Sequence, residues 1–160
     1  SGSPTFSGML INADNVLAMP PTNLALQTDT LPAYVFTGSK KIVLGATTFD
    51  ITDVATGATT PGVPYPPNGL IYVRNGSCGV GYNAVTPLAQ PAGCANVFVH
   101  GTNGTSLTLA SQKDVIVDGD IRNSNDALLG LVANHGDIVT RAQVIASQPG
   151  RCLYATCAML

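Results

Sequence analysis

The amino-acid sequence predicts an all-β fold, and it favours a parallel β-helix over the alternative, a β-sandwich. Residues 96–140 contain five short apolar runs, VFV, LTLA, VIV, LLGLVA and DIV, each bounded by Gly, Asn, Asp or Ser. Such runs between turn residues are typical of strands. No long segment has the 3.6-residue periodicity of a helix. Four segments, GLIYVRNG, NVFVHGTNG, DVIVDGDI and GDIVTRAQ, resemble one another at irregular spacing, which is typical of stacked coils separated by insertions.

The composition indicates one domain, residues 1–160, with low charge. Hydrophobic residues make up 45% of the chain and charged residues only 10%, against about 25% in an ordinary soluble domain. The seven Lys and Arg residues are scattered and the net charge is −2, so the chain has no basic stripe for nucleic acid or for a membrane surface. The longest apolar run, 127–133, is far shorter than the roughly 20 residues of a membrane span. We therefore expect a secreted β-protein, whose signal peptide is already absent from residues 1–15.

The first half of the chain is expected to contain strands and then an inserted loop. The strand-like runs SGMLI and NADNVLAM end at Pro20–Pro21, and three more, AYVF, KKIVL and TTFDIT, lie within residues 31–52. The segment Val54–Asn68 contains four prolines, which cannot donate ladder hydrogen bonds. It is therefore predicted to be a loop that projects from the body, and not a central strand.

The second half is expected to form a ladder of short strands. A strand over Gly69–Arg74 precedes a second inserted loop, Gly76–Ala95, and the apolar runs of residues 96–140 follow as successive strands. After Thr140 the segment AQVIA is either a last strand or a short helix, and Pro149–Gly150 turns the chain.

The four cysteines, Cys78, Cys94, Cys152 and Cys157, are interpreted as two disulfides. Three pairings are possible, and sequence proximity favours Cys78–Cys94 and Cys152–Cys157. The first bond would close the second loop and stabilise the fold by about 3 kcal/mol in the chain-entropy model. The spacing is not that of a zinc site. Disulfides indicate an oxidising compartment, so the protein is expected to be extracellular.

Asp114, Asp118, Asp120 and Asp137 form the best candidate cluster of carboxylates. Asp118 and Asp120 are two positions apart on one strand and share a face, and Asp137 could lie above them on the next coil. Carboxylates grouped on successive coils can act as general acid and base or as calcium ligands in polysaccharide-degrading enzymes. The competing interpretation is that they form Asx-turns. We favour it because all nine acidic residues of the chain are Asp and none is Glu.

The other polar candidates form no recognisable motif. His100 and His135 each precede Gly and could lie on adjacent coils, but two His without a third ligand are a weak indication of a metal. Lys113 and Arg122 are the basic residues closest in sequence to the carboxylates. No GxSxG, GxGxxG or P-loop occurs, and the sequence supports no His–Asp arrangement for Ser106, Ser111 or Ser147. We therefore expect no enzyme activity, no metal and no cofactor.

Two sequons make glycosylation a further possibility. Asn75-Gly-Ser and Asn103-Gly-Thr match the N-glycosylation acceptor, and both lie at predicted turns. The Thr-rich segment Thr56–Thr60 is a candidate for O-glycans. Chance matches to this motif are common in a chain rich in Asn, Ser and Thr, so Asn75 and Asn103 are only possible glycosylation sites.

The segments PPNGLIYVRNGSC, GCANVFVHGTNGTSLTLASQKDVIVDGDI and LLGLVANHGDIV resemble a class of secreted bacterial proteins built on a right-handed parallel β-helix. Two earlier segments, FSGMLINADNVLAM and IVLGATTFDIT, resemble the first coil and the strand before the first loop of that class. The resemblance covers about residues 6–140 and is most specific in Asn68–Val139. It implies a single-stranded right-handed β-helix with two inserted loops. Such proteins often carry a type IV pilin-like N-terminal helix and occur with pilus-assembly proteins, whereas no such helix is found in this sequence.

These observations lead to one functional hypothesis and two alternatives. The leading hypothesis is a structural subunit of an extracellular, type IV pilus-like filament, which contacts other copies of itself and docks onto a small helix-bearing pilin. The N-terminal residues and the C-terminal coil are the expected docking surfaces, because few Lys residues protect the strand edges against association. One alternative is a carbohydrate-binding or carbohydrate-active β-helix that uses the Asp114–Asp120 face. The other is an adhesin or surface-layer module.

Overall fold

The computed structural model describes residues 24–79 and 91–140. Of these residues, 51% lie in strands and 8% in helices, and the strands form two sheets that do not close into a barrel. The all-β class predicted from the apolar runs is therefore confirmed. The predicted strands before Pro20, the AQVIA segment and the Cys152–Cys157 pair lie outside the described residues.

The strands follow the apolar runs of the sequence closely. Each run between residues 34 and 140 that was predicted as a strand contributes one, and a short helix and a 3₁₀ turn precede the first of them. In chain order the elements are α1 (Leu24–Asp29), the 3₁₀ turn (Pro32–Tyr34), β1 (Val35–Thr37), β2 (Lys40–Leu44), β3 (Thr48–Asp53), β4 (Thr59–Pro64), β5 (Leu70–Arg74), β6 (Val97–Asn103), β7 (Leu107–Ser111), β8 (Val115–Asn123), β9 (Leu129–Ala133) and β10 (Ile138–Thr140).

The chain passes repeatedly from one sheet to the other. The four-stranded sheet has the order β1-β5-β7-β9, and all of its pairs are parallel. The six-stranded sheet has the order β10-β8-β6-β2-β3-β4, and it is parallel from β10 to β2 and antiparallel from β2 to β4. The successive pairs β1–β2, β5–β6, β7–β8 and β9–β10 each place one strand in each sheet. These pairs are stacked in the same order along both sheets.

The core lies between the two sheets, where the strand register aligns apolar residues in rows. Ile42, Val99 and Val117 are register neighbours across β2, β6 and β8, and all three are fully buried. Ile71 and Leu109 form the corresponding row across β5 and β7. Each such side chain contributes about 1.5–3 kcal/mol when it is removed from water, so these rows stabilise the stacking of the strand pairs.

Helix α1 covers part of the outer face of the four-stranded sheet, where it contacts β5. Tyr72 lies on that face, because its neighbours Ile71 and Val73 point into the core, yet Tyr72 is fully buried. Nε2 of Gln112 donates to Oε1 of Gln27 at 3.4 Å, which connects the helix to the end of β7. Burial raises the pKa of the Tyr72 hydroxyl.

The prediction that Val54–Asn68 is one uninterrupted loop is wrong, because residues 59–64 form β4. This strand pairs antiparallel with β3 at the edge of the six-stranded sheet. Pro61 and Pro64 are tolerated there because an edge strand pairs on one side only, so the missing N–H groups need not interrupt a ladder. The prediction that the segment is not a central strand agrees with this position. Tyr65, directly after β4, donates its hydroxyl to the carbonyl of Gly45 at 2.7 Å.

The strands at the opposite end, β9 and β10, are less buried than their neighbours. Every residue of β9 and β10 is partly exposed, whereas β7 and β8 contain several fully buried residues. Leu129, Leu131 and Ile138 pack against the core but remain partly exposed. Within the described ranges, β9 pairs only with β7 and β10 only with β8. In the part of the chain that the structure describes, this end of the stack therefore presents both apolar side chains and strand edges without a partner strand.

Candidate functional site

The turns that lead into the six-stranded sheet are connected by Asx side chains. Oδ1 of Asn96 accepts the backbone N–H of Asp114 at 3.3 Å, and Oδ1 of Asp114 accepts the backbone N–H of Asp137 at 2.8 Å. Backbone bonds run in parallel, since Val97 donates to the carbonyl of Asp114 and Val115 to that of Asp137, each at 3.0 Å. Asp114 is fully buried. Asn96 and Asp114 thus bridge three successive turns. Asp114 has a structural role in a turn, but its bond runs to the next turn and is not the local Asx-turn that was predicted.

A second carboxylate, Asp118, lies on the outer face of the six-stranded sheet and holds two partners there. Nδ1 of His100 is 2.7 Å from Oδ1 of Asp118, and Nζ of Lys41 is 3.6 Å from Oδ2. The Asp118 side chain is only 6% exposed, whereas His100 is 27% and Lys41 43% exposed. The three residues come from the adjacent strands β8, β6 and β2. They form a charged cluster with a shielded carboxylate and an accessible imidazole.

A local irregularity between β6 and β8 creates this cluster. The pairs Val99–Val117 and Gly101–Ile121 enclose one residue on β6 and three on β8, so the register shifts at His100. Gly119 lies beside the histidine, and a Cβ added to it would be 2.9 Å from the Cβ of His100, closer than real side chains pack. A bulge of this kind re-aims side chains, and here it brings the Asp118 carboxylate to the imidazole.

The four carboxylates of the sequence cluster do not converge on one site. Asp114 and Asp137 belong to the turns, Asp118 contacts His100, and Oδ2 of Asp120 is 3.6 Å from Nη2 of Arg122 on the exposed surface. His135 follows β9 in another turn, where its backbone N–H donates to the backbone carbonyl of Gln112 at 3.3 Å. Over residues 24–79 and 91–140, no group of three or more His, Cys or Asp side chains is arranged to hold a metal ion.

The sequence indicated neither the His100–Asp118 contact nor the participation of Lys41. When its proton is on Nδ1, His100 donates to Asp118 and presents Nε2 as a hydrogen-bond acceptor or base. The alternation of KKIVL around buried Ile42 and Leu44 places Lys41 on the outer face, but only the pairing of β2 with β6 brings it near Asp118. A register between distant strands is not encoded in any local pattern.

The serines considered as nucleophiles have structural roles where the structure describes them. The hydroxyl of Ser111 is buried and donates to the carbonyl of Ala95. Oγ of Ser106 accepts the N–H of Leu128 at 3.3 Å. Ser147 lies outside the described residues.

The Cys78–Cys94 disulfide expected from sequence proximity is present. Its S–S distance is 1.99 Å and its Cα–Cα distance is 4.3 Å. Cys94 is fully buried, and its carbonyl accepts the hydroxyl of Ser39 at 2.8 Å. The disulfide closes the second insertion on itself. The hydrogen bond from Ser39 attaches this insertion to the turn between β1 and β2. Neither cysteine of the described ranges is free.

The two sequon asparagines differ in their surroundings. Asn103 is fully buried, and its Nδ2 donates to Oδ1 of Asn123 at 3.2 Å, so the folded chain leaves no space for a glycan on that nitrogen. Asn75 is partly exposed, and its Oδ1 accepts the N–H of Ala95 at 2.9 Å. Glycosylation at either residue stays a prediction, and the folded geometry favours Asn75. The O-glycan candidates Thr56–Thr60 lie on the exposed surface at the start of β4.

A salt bridge joins the ends of β2 and β3. Nζ of Lys40 donates to Oδ2 of Asp53, and the Lys40 side chain is only 10% exposed. Oδ1 of Asp53 accepts the N–H groups of Ala55 and Thr56, at 2.9 and 3.0 Å, in an Asx-turn. The hydrogen bond from Lys40, followed by that from Thr56, lowers the pKa of Asp53 below 3.8.

Comparisons with known proteins identify no relative: no family model, no curated protein and no solved structure matches the chain. None of the helices in the described ranges is long and apolar enough to span a membrane.

Proposed function

We propose that the two-sheet winding is a single-stranded parallel β-helix and that the protein is a structural, non-enzymatic subunit of an extracellular filament. The alternation of the chain between the four parallel strands of one sheet and the parallel strands β2, β6, β8 and β10 of the other supports the β-helix. The resemblance of residues 68–139 to pilus-associated β-helix proteins supports the filament. The Cys78–Cys94 disulfide supports an oxidising, extracellular compartment.

The observation that carries the assembly role is the open end formed by β9 and β10. Leu107 donates to the carbonyl of Leu128, and Asn134 donates to the carbonyl of Ser111. In a parallel ladder only alternate residues of a strand bond to a given neighbour. The backbone groups of the intervening residues, including those of Leu131 and Ala133, therefore point away from β7. Among residues 24–79 and 91–140 nothing pairs with them, and they form an edge on which another strand can pair.

The opposite edge of the six-stranded sheet is protected against such pairing. β4 carries Pro61 and Pro64, which lack N–H groups, and all of its residues except Val63 are exposed. Proline on an edge strand is a common way to prevent sheet extension. Association is therefore expected at the β9–β10 end, by another copy of the chain or by the small helix-bearing pilin of the leading hypothesis.

Ala133→Pro tests this role because it removes one N–H from the free edge and leaves the bonds to β7 intact. Self-association of the full chain is measured by sedimentation velocity over a concentration series. We expect the wild type to associate with increasing concentration and Ala133→Pro to remain monomeric with an unchanged circular dichroism spectrum. Val132→Pro is the matched control, because its N–H points towards β7 and its loss should unfold the strand. A wild type that is monomeric throughout, alone and with a helical partner recovered from native surface fibres, would contradict the proposal.

The alternatives from the sequence remain proposals with different support. A carbohydrate-active enzyme would use the Asp114–Asp120 face, but Asp114 is buried in the turns and Asp118 is occupied by His100 and Lys41. The His100–Asp118 pair is the feature that favours it, and loss of polysaccharide turnover in His100→Gln would be its test. No contact among the described residues specifically favours an adhesin or surface-layer module.

A further inference from the structure

A groove of about 650 Å³ lies at the starts of β5, β7 and β9, and Ile121 and Asn123 near the end of β8 in the other sheet also line it. Leu70 on β5, Thr108 on β7 and Gly130 on β9 are register neighbours and form one row across it. Ser106 and Leu128, from the turns that lead into β7 and β9, also line it. Its size lies within the roughly 300–1,000 Å³ that is usual for small-ligand sites.

The walls of the groove carry no charged side chain. They consist of Leu, Ile, Gly, Asn, Ser and Thr residues, although charged residues occur at many other places on the described surface. An anionic or cationic ligand would lose its hydration here without gaining an ion pair. The groove therefore suits a neutral ligand.

Three polar groups at the groove are available as hydrogen-bond donors. Asn123 uses Oδ1 to accept from Asn103, which leaves its NH₂ group for another acceptor. Ser106 uses Oγ to accept from Leu128, which leaves its hydroxyl proton. The hydroxyl of Thr108 has no protein partner within the described ranges. A ligand with several hydroxyl or ether oxygens could accept from all three.

Leu128 supplies an apolar surface beside these donors. It is 73% exposed, the largest exposure among the large hydrophobic residues of the described ranges. The preceding turn fixes its position, because Asn125 and Asp126 both adopt φ of 55°, a left-handed conformation that is uncommon outside glycine. The backbone thus holds a leucine in solvent next to a groove that lacks charge.

We propose that this groove binds a neutral oligosaccharide. Sugar rings present oxygens at their edges and C–H groups on their faces, so their edges suit Asn123, Ser106 and Thr108 and their faces suit Leu128 and Leu70. The row crosses successive strands about 4.8 Å apart, which gives a repetitive surface for a repetitive chain. This inference does not rest on the assembly proposal, because its three donors, Asn123, Ser106 and Thr108, are side chains outside β9 and β10.

The test is a titration of the isotopically labelled full chain with two neutral probes, cellotetraose and chitotetraose, followed by backbone amide shifts. A tetra-galacturonate is the charged probe of equal length. We expect shift changes centred on Gly69, Thr108 and Gly130 with one of the neutral probes, and at least about tenfold weaker binding of the uronate, because a charge adds desolvation cost without a partner.

Two substitutions locate the site, and a third controls for surface changes. Asn123→Ala and Leu128→Ser should each weaken binding about fivefold or more, which is the effect of one ordinary hydrogen bond or apolar contact. Leu31→Ser is the matched control, since Leu31 is exposed and does not line the groove. No shift change with either neutral probe, equal binding of the uronate, or preferential binding of an uncharged Leu- and Asn-containing peptide would each overturn the proposal.

Discussion

Nδ1 of His100 lies 2.7 Å from Oδ1 of Asp118, across the register shift between β6 and β8. The carboxylate is shielded from water and the imidazole is partly accessible. A third group, Nζ of Lys41, approaches the other carboxylate oxygen from β2. The contact thus connects three adjacent strands on one face of the six-stranded sheet, and it depends on the small size of Gly119.

Gly119→Ala should displace the imidazole from Asp118. The added Cβ would meet the Cβ of His100 at 2.9 Å, so either the histidine or the bulge must move. We expect a loss of stability of about 1–3 kcal/mol, the usual cost of an added methyl group in a packed site. Equilibrium urea unfolding measures the loss, and the His100 ring signals in NMR report its displacement.

Gly79→Ala is the matched comparison for this experiment, because Gly79, like Gly119, has no positive φ, and it has no neighbour within 4 Å of an added Cβ. It therefore gives the effect of an added methyl group without crowding. Unshifted His100 ring signals in Gly119→Ala would show that the bulge accommodates a methyl group, contrary to the crowding argument.

Acid should weaken the Lys40–Asp53 bridge. Because the pKa of Asp53 is lowered in the folded state, the unfolded state binds more protons at acidic pH. The bridge therefore contributes fully above the unfolded pKa of 3.8, and its contribution is lost as the pH falls through the lowered folded value. Asp53 is about one-third exposed, so we expect Lys40→Met to cost no more than about 1 kcal/mol at pH 7.

Urea unfolding of the wild type and Lys40→Met between pH 7 and pH 2 measures this effect, and the difference between the two proteins should shrink as the pH falls. Lys41→Met is the matched control, since it removes the same charge from the neighbouring position but contacts Asp118 and not Asp53. A difference between wild type and Lys40→Met that is constant over this range would be inconsistent with the bridge.

Removal of the Cys78–Cys94 disulfide should destabilise the fold while leaving the strand pairing intact. The bond spans 16 positions, and a loop of that length corresponds to about 3 kcal/mol in the chain-entropy model. We expect the double variant Cys78→Ala, Cys94→Ala to lose about 2–4 kcal/mol in chemical unfolding at unchanged far-ultraviolet circular dichroism. A loss below about 1 kcal/mol would mean that the insertion is held by its hydrogen bonds to Ser39 and Asn75 alone.

The sequence predicted the strands well because each is a local pattern, an apolar run that ends in turn residues. It missed β4 because Pro61 and Pro64 exclude a central strand but permit an edge strand, and edge position depends on the partner strand. It missed the contact of His100 with Asp118 for a related reason. The spacing of the two residues says nothing about the register shift that brings them together. The Asx-turn interpretation does not describe Asp114, whose Oδ1 accepts the N–H of Asp137, 23 residues away and in the next turn of the stack. Like the His100–Asp118 contact, that bond depends on how the strands are stacked.

The Asx connections predict a different cost for two carboxylates that are close in sequence. Asp114→Ala removes the buried acceptor for the N–H of Asp137, and an unsatisfied buried donor costs about 1–3 kcal/mol. Asp114→Asn keeps an oxygen in that position and should cost less. Asp120→Ala removes an exposed ion pair with Arg122 and should change stability by less than about 0.5 kcal/mol. Chemical unfolding of the three variants should rank Asp114→Ala as the least stable. If Asp120→Ala were equally destabilising, Asp120 would have a structural role in the bulge, and the division between turn carboxylates and surface carboxylates would fail.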